Sequence, residues 1–76
     1  MSHTFSLVIH NEPSVLLRIS GIFVRRGYYI SSLHLKERDT SGVSEMKLTA
    51  VCTENEATLL VSQLKKLIDV LQVNKL

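Results

Sequence analysis

The chain has 76 residues, nine Lys+Arg against seven Asp+Glu, and a formal net charge of +2 with its three histidines neutral. Its one cysteine, Cys52, excludes an internal disulfide framework, and no apolar run approaches the about 20 residues that span a membrane. One small domain covering 1–76 has no room for a two-lobed active site, and its core supplies only about 3–5 kcal/mol, so with 45% hydrophobic residues self-association is the expected further source of stability.

Residues 3–10 read as a strand, because Phe5, Leu7 and Ile9 alternate with Thr4, Ser6 and His10 at a period of two. Val8 interrupts the alternation and marks a second face that is not fully wet. Asn11-Glu12-Pro13-Ser14 carries helix-start chemistry. Pro13 suits the first helical position, where its missing N–H is not needed, and Asn11 or Glu12 supplies the cap, Asn being the better acceptor. From Pro13 to Arg26 the period changes, and Val15, Leu16, Ile19, Ile22 and Phe23 fall on one helical face. Arg25 and Arg26 suit the negative end of the helix dipole, and Gly27 can take the left-handed cap conformation. Gly21 costs about 1 kcal/mol relative to Ala inside a helix, which predicts a close approach to the sheet.

Tyr28 to Arg38 is strand-like, with Leu33 and Leu35 in phase and Ile30 out of phase; a bulge or bend between Ile30 and Leu33 reconciles them. Asp39-Thr40-Ser41-Gly42 is turn chemistry. Val43 to Thr53 is the next strand, with Met46, Leu48, Ala50 and Cys52 on one face. Thr53 or Glu54 opens a second helix to about Lys66, buried along Ala57, Leu60, Val61 and Leu64, and Ile68 to Leu76 closes as a strand. The order β-α-β-β-α-β predicts an α+β, ferredoxin-like sandwich. Its four-stranded antiparallel sheet has the order 4-1-3-2, and right-handed crossovers place both helices on one face. The other face is wet or covered by something else, and the second and fourth strands are exposed edges.

Function has to come from sites rather than from fold. His3, His10, His34 and Cys52 show no ligand-pair spacing and read as solvated or core-lining side chains rather than a metal site. Cys52 shares a phase with Met46, Leu48 and Ala50, so it reads as a small buried hydrophobe and not as a nucleophile. The carboxylates are scattered, and no catalytic residue is assigned. The first loop lacks the cysteines of a copper carrier, and Phe5 is the one aromatic on the central strands, too few for RNA stacking. The basic residues do not cluster on one face, which argues against nucleic acid. Met1-Ser2-His3-Thr4 lacks the regions of a signal peptide, so a cytoplasmic chain is expected. The first-helix N-terminus has ligand-binding physics: free N–H groups and the helix dipole attract a carboxylate or phosphate, and Asn11 adds an amide. Plain capping accounts for the same residues.

The stretch Asn11-Glu12-x-x-x-Leu16-x-Arg18-Ile19-x-Gly21-Ile22-Phe23-x-x-Arg26-Gly27-Tyr28-x-Ile30-x-Ser32-Leu33 resembles the start of an ACT domain. With the tail Gln63-Leu64-x-Lys66-Leu67-Ile68-Asp69-Val70-Leu71-x-Val73 it is similar to the regulatory small subunit of acetohydroxyacid (acetolactate) synthase, over about Thr4 to Leu76. The resemblance implies a non-catalytic subunit that binds and activates the synthase large subunit in branched-chain amino-acid biosynthesis. Thiamine diphosphate, Mg²⁺ and FAD are expected on that catalytic partner and no cofactor on this chain.

The resemblance further implies a homodimer through the second strand. A branched-chain amino acid, valine in the family, is expected between the helix tip (Asn11, Pro13, Ser14, Val15) and second-strand positions Tyr29, Ile30 and Lys36. The family usually has Gly at the position of Ser14, often Asn at that of Tyr29, and a small residue at that of Lys36. These departures predict an altered or lost valine site. Ending at Leu76, the chain resembles short family members without the C-terminal domain. A stand-alone ACT-domain amino-acid sensor acting on another metabolic protein is the alternative. Two surfaces are candidates for gripping the catalytic subunit: the uncovered sheet face, and the Arg18, Arg25, Arg26 side of the first helix.

Overall fold

The elements follow the alternation of the sequence. The computed structural model, which describes residues 1–38 and 42–76, forms β1 (Ser2–His10), α1 (Pro13–Arg25), β2 (Tyr29–Glu37), β3 (Val43–Val51), α2 (Glu54–Leu64) and β4 (Val70–Lys75). The sheet order is β2-β3-β1-β4, with every neighbouring pair antiparallel. This is the expected ferredoxin-like arrangement. Of the expected Asp39–Gly42 turn, Asp39, Thr40 and Ser41 lie outside the described residues, and Gly42 has φ +79°.

Register explains which side chains are buried. Phe5 lies opposite Leu48, and Leu7 opposite Met46 on β3 and Val73 on β4. These residues, with Ile9, Ala50 and Cys52, form the helix-facing surface of the sheet. Val15, Ile19 and Phe23 from α1 and Ala57, Leu60 and Leu64 from α2 close over them. The Phe5 and Phe23 rings meet edge to face, centroids 5.6 Å apart at 68°, the arrangement that an aromatic quadrupole favours. Ser44 is the polar exception in this core, and its hydroxyl has no hydrogen-bond partner among the described residues.

The register of β2 against β3 shifts between Ile30 and Ser32. The extra residue, Ser31, restores Ile30 and Leu33 to one face, which is the bulge that the broken alternation demanded. Gly27 sits at φ +76° immediately after α1, a conformation that a Cβ disfavours. Gly21 departs from expectation: an added Cβ would meet only the Arg25 guanidinium, at 3.6 Å, so no close approach to the sheet requires glycine there. Helix α2 ends at Leu64, short of the expected Lys66. The N–H groups of Lys66 and Leu67 turn back to the carbonyls of Gln63 and Leu64, tightening the chain into β4 with i→i+3 bonds.

Candidate functional site

The tip of α1 is built by the exit from β1. The Asn11 N–H donates to the Gly42 carbonyl at 2.7 Å, and its side-chain Nδ2 donates to Glu37 Oε2 at 2.7 Å. Asn11 therefore ties the loop to the end of β2 and to the hairpin, and it does not cap the helix. The cap position belongs to Glu12, whose side chain makes no cap hydrogen bond. Pro13 occupies the first helical position as expected and has no N–H to offer. Ser14 is exposed. The side chain of Val15 is buried at 1% exposure, and its N–H donates to the Glu12 carbonyl at 3.0 Å. Glu37 and Gly42 thus belong to this corner, and nothing in the sequence pattern marked them, because the contacts join residues far apart along the chain.

The second-strand positions lie elsewhere. Tyr29 is 70% exposed at the start of β2, and Ile30 is half-buried against the core. A nine-residue strand is about 26 Å long at ~3.3 Å per residue, so within one chain Tyr29 and the Asn11–Glu37 corner stand at opposite ends. Lys36 is near the corner but opposite Glu45, whose neighbours Ser44 and Met46 are buried in the core. Alternation therefore turns Lys36 to the sheet face away from the helices. One chain assembles the tip residues Asn11, Pro13, Ser14 and Val15 and does not bring Tyr29 and Ile30 to them.

Two further clusters define the charged surface. Asp69 accepts from Arg18 Nη1 at 3.0 Å and lies 3.2 Å from His10 Nδ1, joining the end of β1, α1 and the approach to β4. Arg25 Nε donates back to the Gly21 carbonyl at 3.3 Å. On the helix-free face, a shallow concavity of about 500 Å³ is lined by Ser6, His34, Leu35, Lys36, Glu45, Met46 and Lys47. His3 and His10 lie at opposite ends of β1, and among the described residues no group of three or more His, Cys, Asp and Glu is placed to hold a metal ion. Burial, with the nearby Glu56 carboxylate, pushes the Cys52 thiol above its ordinary pKa, which disfavours a nucleophilic thiolate. Among the described residues, no helix is long and apolar enough to cross a membrane.

The βαββαβ sandwich with a helix tip beside a sheet corner defines a class, and residues 11–73 match the ACT domain: the chain belongs to the ACT-domain family. Within that family it is similar to small subunits of acetolactate synthase. It is 37% identical over 76 residues to acetolactate synthase isozyme 3 small subunit of Escherichia coli, covering 100% of this chain and 47% of that one. It is 38% identical over 72 residues to the chloroplastic acetolactate synthase small subunit 1 of Nicotiana plumbaginifolia, covering 95% of this chain and 16% of that one. The crystal structure of the acetolactate synthase small subunit from Thermotoga maritima superposes with a TM-score of 0.85 at 29% identity, over 99% of this chain and 47% of that chain. The chain spans about half the length of the bacterial relatives, and less of the plant one.

Proposed function

We propose that this chain is a non-catalytic, cytoplasmic regulatory subunit that binds and activates the thiamine-diphosphate-dependent catalytic subunit of an acetolactate synthase. The observation that carries this reading is the 37% identity to the Escherichia coli small subunit across the entire chain. The chain's role is protein–protein contact: it assigns no residue to catalysis, and thiamine diphosphate, Mg²⁺ and FAD belong to the partner.

The same reading makes the chain a homodimer through β2. That strand is an unpaired edge, and it carries Leu33 at 39% and Leu35 at 44% exposure on its helix-side face. Such an edge invites pairing with another strand. In an antiparallel pair of β2 strands, the start of one lies beside the end of the other. The partner's Ile30 then reaches the corner that holds Asn11, Pro13, Ser14 and Val15, with Lys36 and the partner's Tyr29 on the sheet face behind it. This is where an amino-acid effector would sit.

The corner is poorly suited to valine. Ser14 adds a Cβ where close backbone approach is wanted, Pro13 donates nothing, and the Asn11 amide is already engaged by Glu37. The carboxylates of Glu12 and Glu37 also oppose an incoming carboxylate. Titrating the purified chain into the synthase large subunit and following acetolactate formation tests the main reading: a rise in rate supports it, and an unchanged rate with no co-elution leaves a free-standing sensor instead. Calorimetry with valine, leucine and isoleucine tests the corner. Weak or absent heat is expected, Ser14→Gly is expected to strengthen binding, and tight valine binding by the unmodified chain overturns the altered site.

A further inference from the structure

We propose that the helix-free face of the sheet, centred on Lys47, is the surface that grips the catalytic subunit, and that it does so by receiving an acidic patch of that protein; the identity of the partner rests on the proposed function above.

Of the two basic surfaces on this chain, the helix side has two of its three candidate arginines engaged in contacts of its own, with Arg26 exposed. Arg18 is held by Asp69, and Arg25 folds back on the α1 backbone. The acidic residues Glu12, Glu54, Glu56 and Asp69 all lie in or beside the two helices, so that side is mixed in sign. The sheet face is different. Cross-strand register sets Lys47 directly between Ser6 of β1 and His34 of β2. Lys36 and Arg38 continue the same side toward the hairpin. Among the described residues, Glu45 is the acidic side chain on this face, and Arg38 Nε holds its Oε2 at 2.8 Å. Lys36 and Lys47 form no ion pair among the described residues. Two lysines and a histidine therefore rim a concavity of about 500 Å³.

The rest of the face mixes short polar side chains with Val8, Val51 and Tyr29, the last two 42% and 70% exposed. Thr4 and Thr49 share a hydrogen bond at 2.8 Å, and Ser6 opens onto the concavity. The positive centre of this face suits a complementary acidic surface, which steers encounter and fixes register. Nucleic acid fits it less well: the cations are too few for a phosphate track, and no aromatic stands in the concavity for a base to stack on. Antiparallel pairing through β2 would continue the same face into a second copy and double the basic strip.

The test uses the full chain and the synthase large subunit. The unmodified chain is expected to bind and activate, with affinity falling as salt rises. Lys47→Glu is expected to weaken binding at least tenfold, and Lys36→Glu/Lys47→Glu to abolish it, while circular dichroism, melting temperature and oligomeric state stay those of the parent. Lys47→Gln should fall between. Arg18→Glu/Arg25→Glu serves as the control on the other surface. Activation by the parent with equal affinity in the Lys47 variants, or loss confined to the arginine variants, overturns the assigned surface and leaves the proposed function standing. A parent chain that neither binds nor activates the large subunit overturns both. Binding of single-stranded DNA in place of the large subunit overturns the acidic-protein assignment.

Discussion

Gly21 shows how a residue-level inference is corrected by its surroundings. A glycine in the middle of a helix is normally explained by what packs against it, yet only the flexible end of Arg25 stands near this one. Gly21→Ala is therefore expected to stabilise the isolated chain by about 0.5–1 kcal/mol, through lower backbone entropy in the unfolded state, read as a higher melting temperature; a loss of stability would show a contact that the fold does not reveal. Glu54 makes a second residue-scale prediction. The Lys75 ammonium, 2.6 Å away, holds its carboxyl below the usual range, mainly by hydrogen bonding to the carboxylate. A depressed folded-state pKa contributes stability that is present above the unfolded carboxylate value and is lost as pH falls through the folded one. Parent and Glu54→Gln should therefore differ in chemical denaturation at neutral pH and converge in strong acid. Convergence at neutral pH instead would show that this exposed pair contributes nothing measurable.

At the scale of elements, the two helices start in different ways. Helix α2 has a complete capping box: Thr53 Oγ1 accepts from the Glu56 N–H at 3.1 Å, and Glu56 Oε1 accepts from the Thr53 N–H at 2.8 Å. This Thr-x-x-Glu spacing is written in the sequence, and it settles the start of α2 in favour of Thr53 as cap and Glu54 as first helical residue. Thr53→Ala is expected to cost about 1 kcal/mol, measured as a lower denaturation midpoint at unchanged slope. Helix α1 has no side-chain cap. Its start relies on Pro13 and on the Val15 N–H bonding back to Glu12, because the residue best suited to cap it, Asn11, is drawn off to Glu37. The strand bulge after Ile30 belongs to this scale too: broken alternation within one strand is a local signal, so it was legible before any pairing was known.

For the whole molecule, the sheet has two open edges and one open face, and the apolar side chains are not divided equally among them. Leu33 and Leu35 share the register of Leu48 and Met46, yet they remain 39% and 44% exposed where their partners are buried. The helices of one chain do not reach far enough to cover β2. Leu33→Lys/Leu35→Lys is expected to convert a dimer to a monomer in size-exclusion chromatography with light scattering. A parent chain that is already monomeric at the same concentration would remove the dimer, and with it an effector corner completed by the partner's Ile30.

The strands, helices, their order and most of the core could be read from the chain itself, because hydrophobic period is a local property: two for β1 and β3, near 3.6 for α1 and α2. The turn-forming Gly27 and the Ser31 bulge were legible for the same reason. Tertiary structure alone decided the rest. It assigned Asn11 to Glu37 instead of to the helix cap, Asp69 to both His10 and Arg18, and Lys36 to the face opposite the helices. Each of those outcomes depends on which segments the sheet brings side by side, and a contact between residues distant in sequence leaves no periodic trace in either segment.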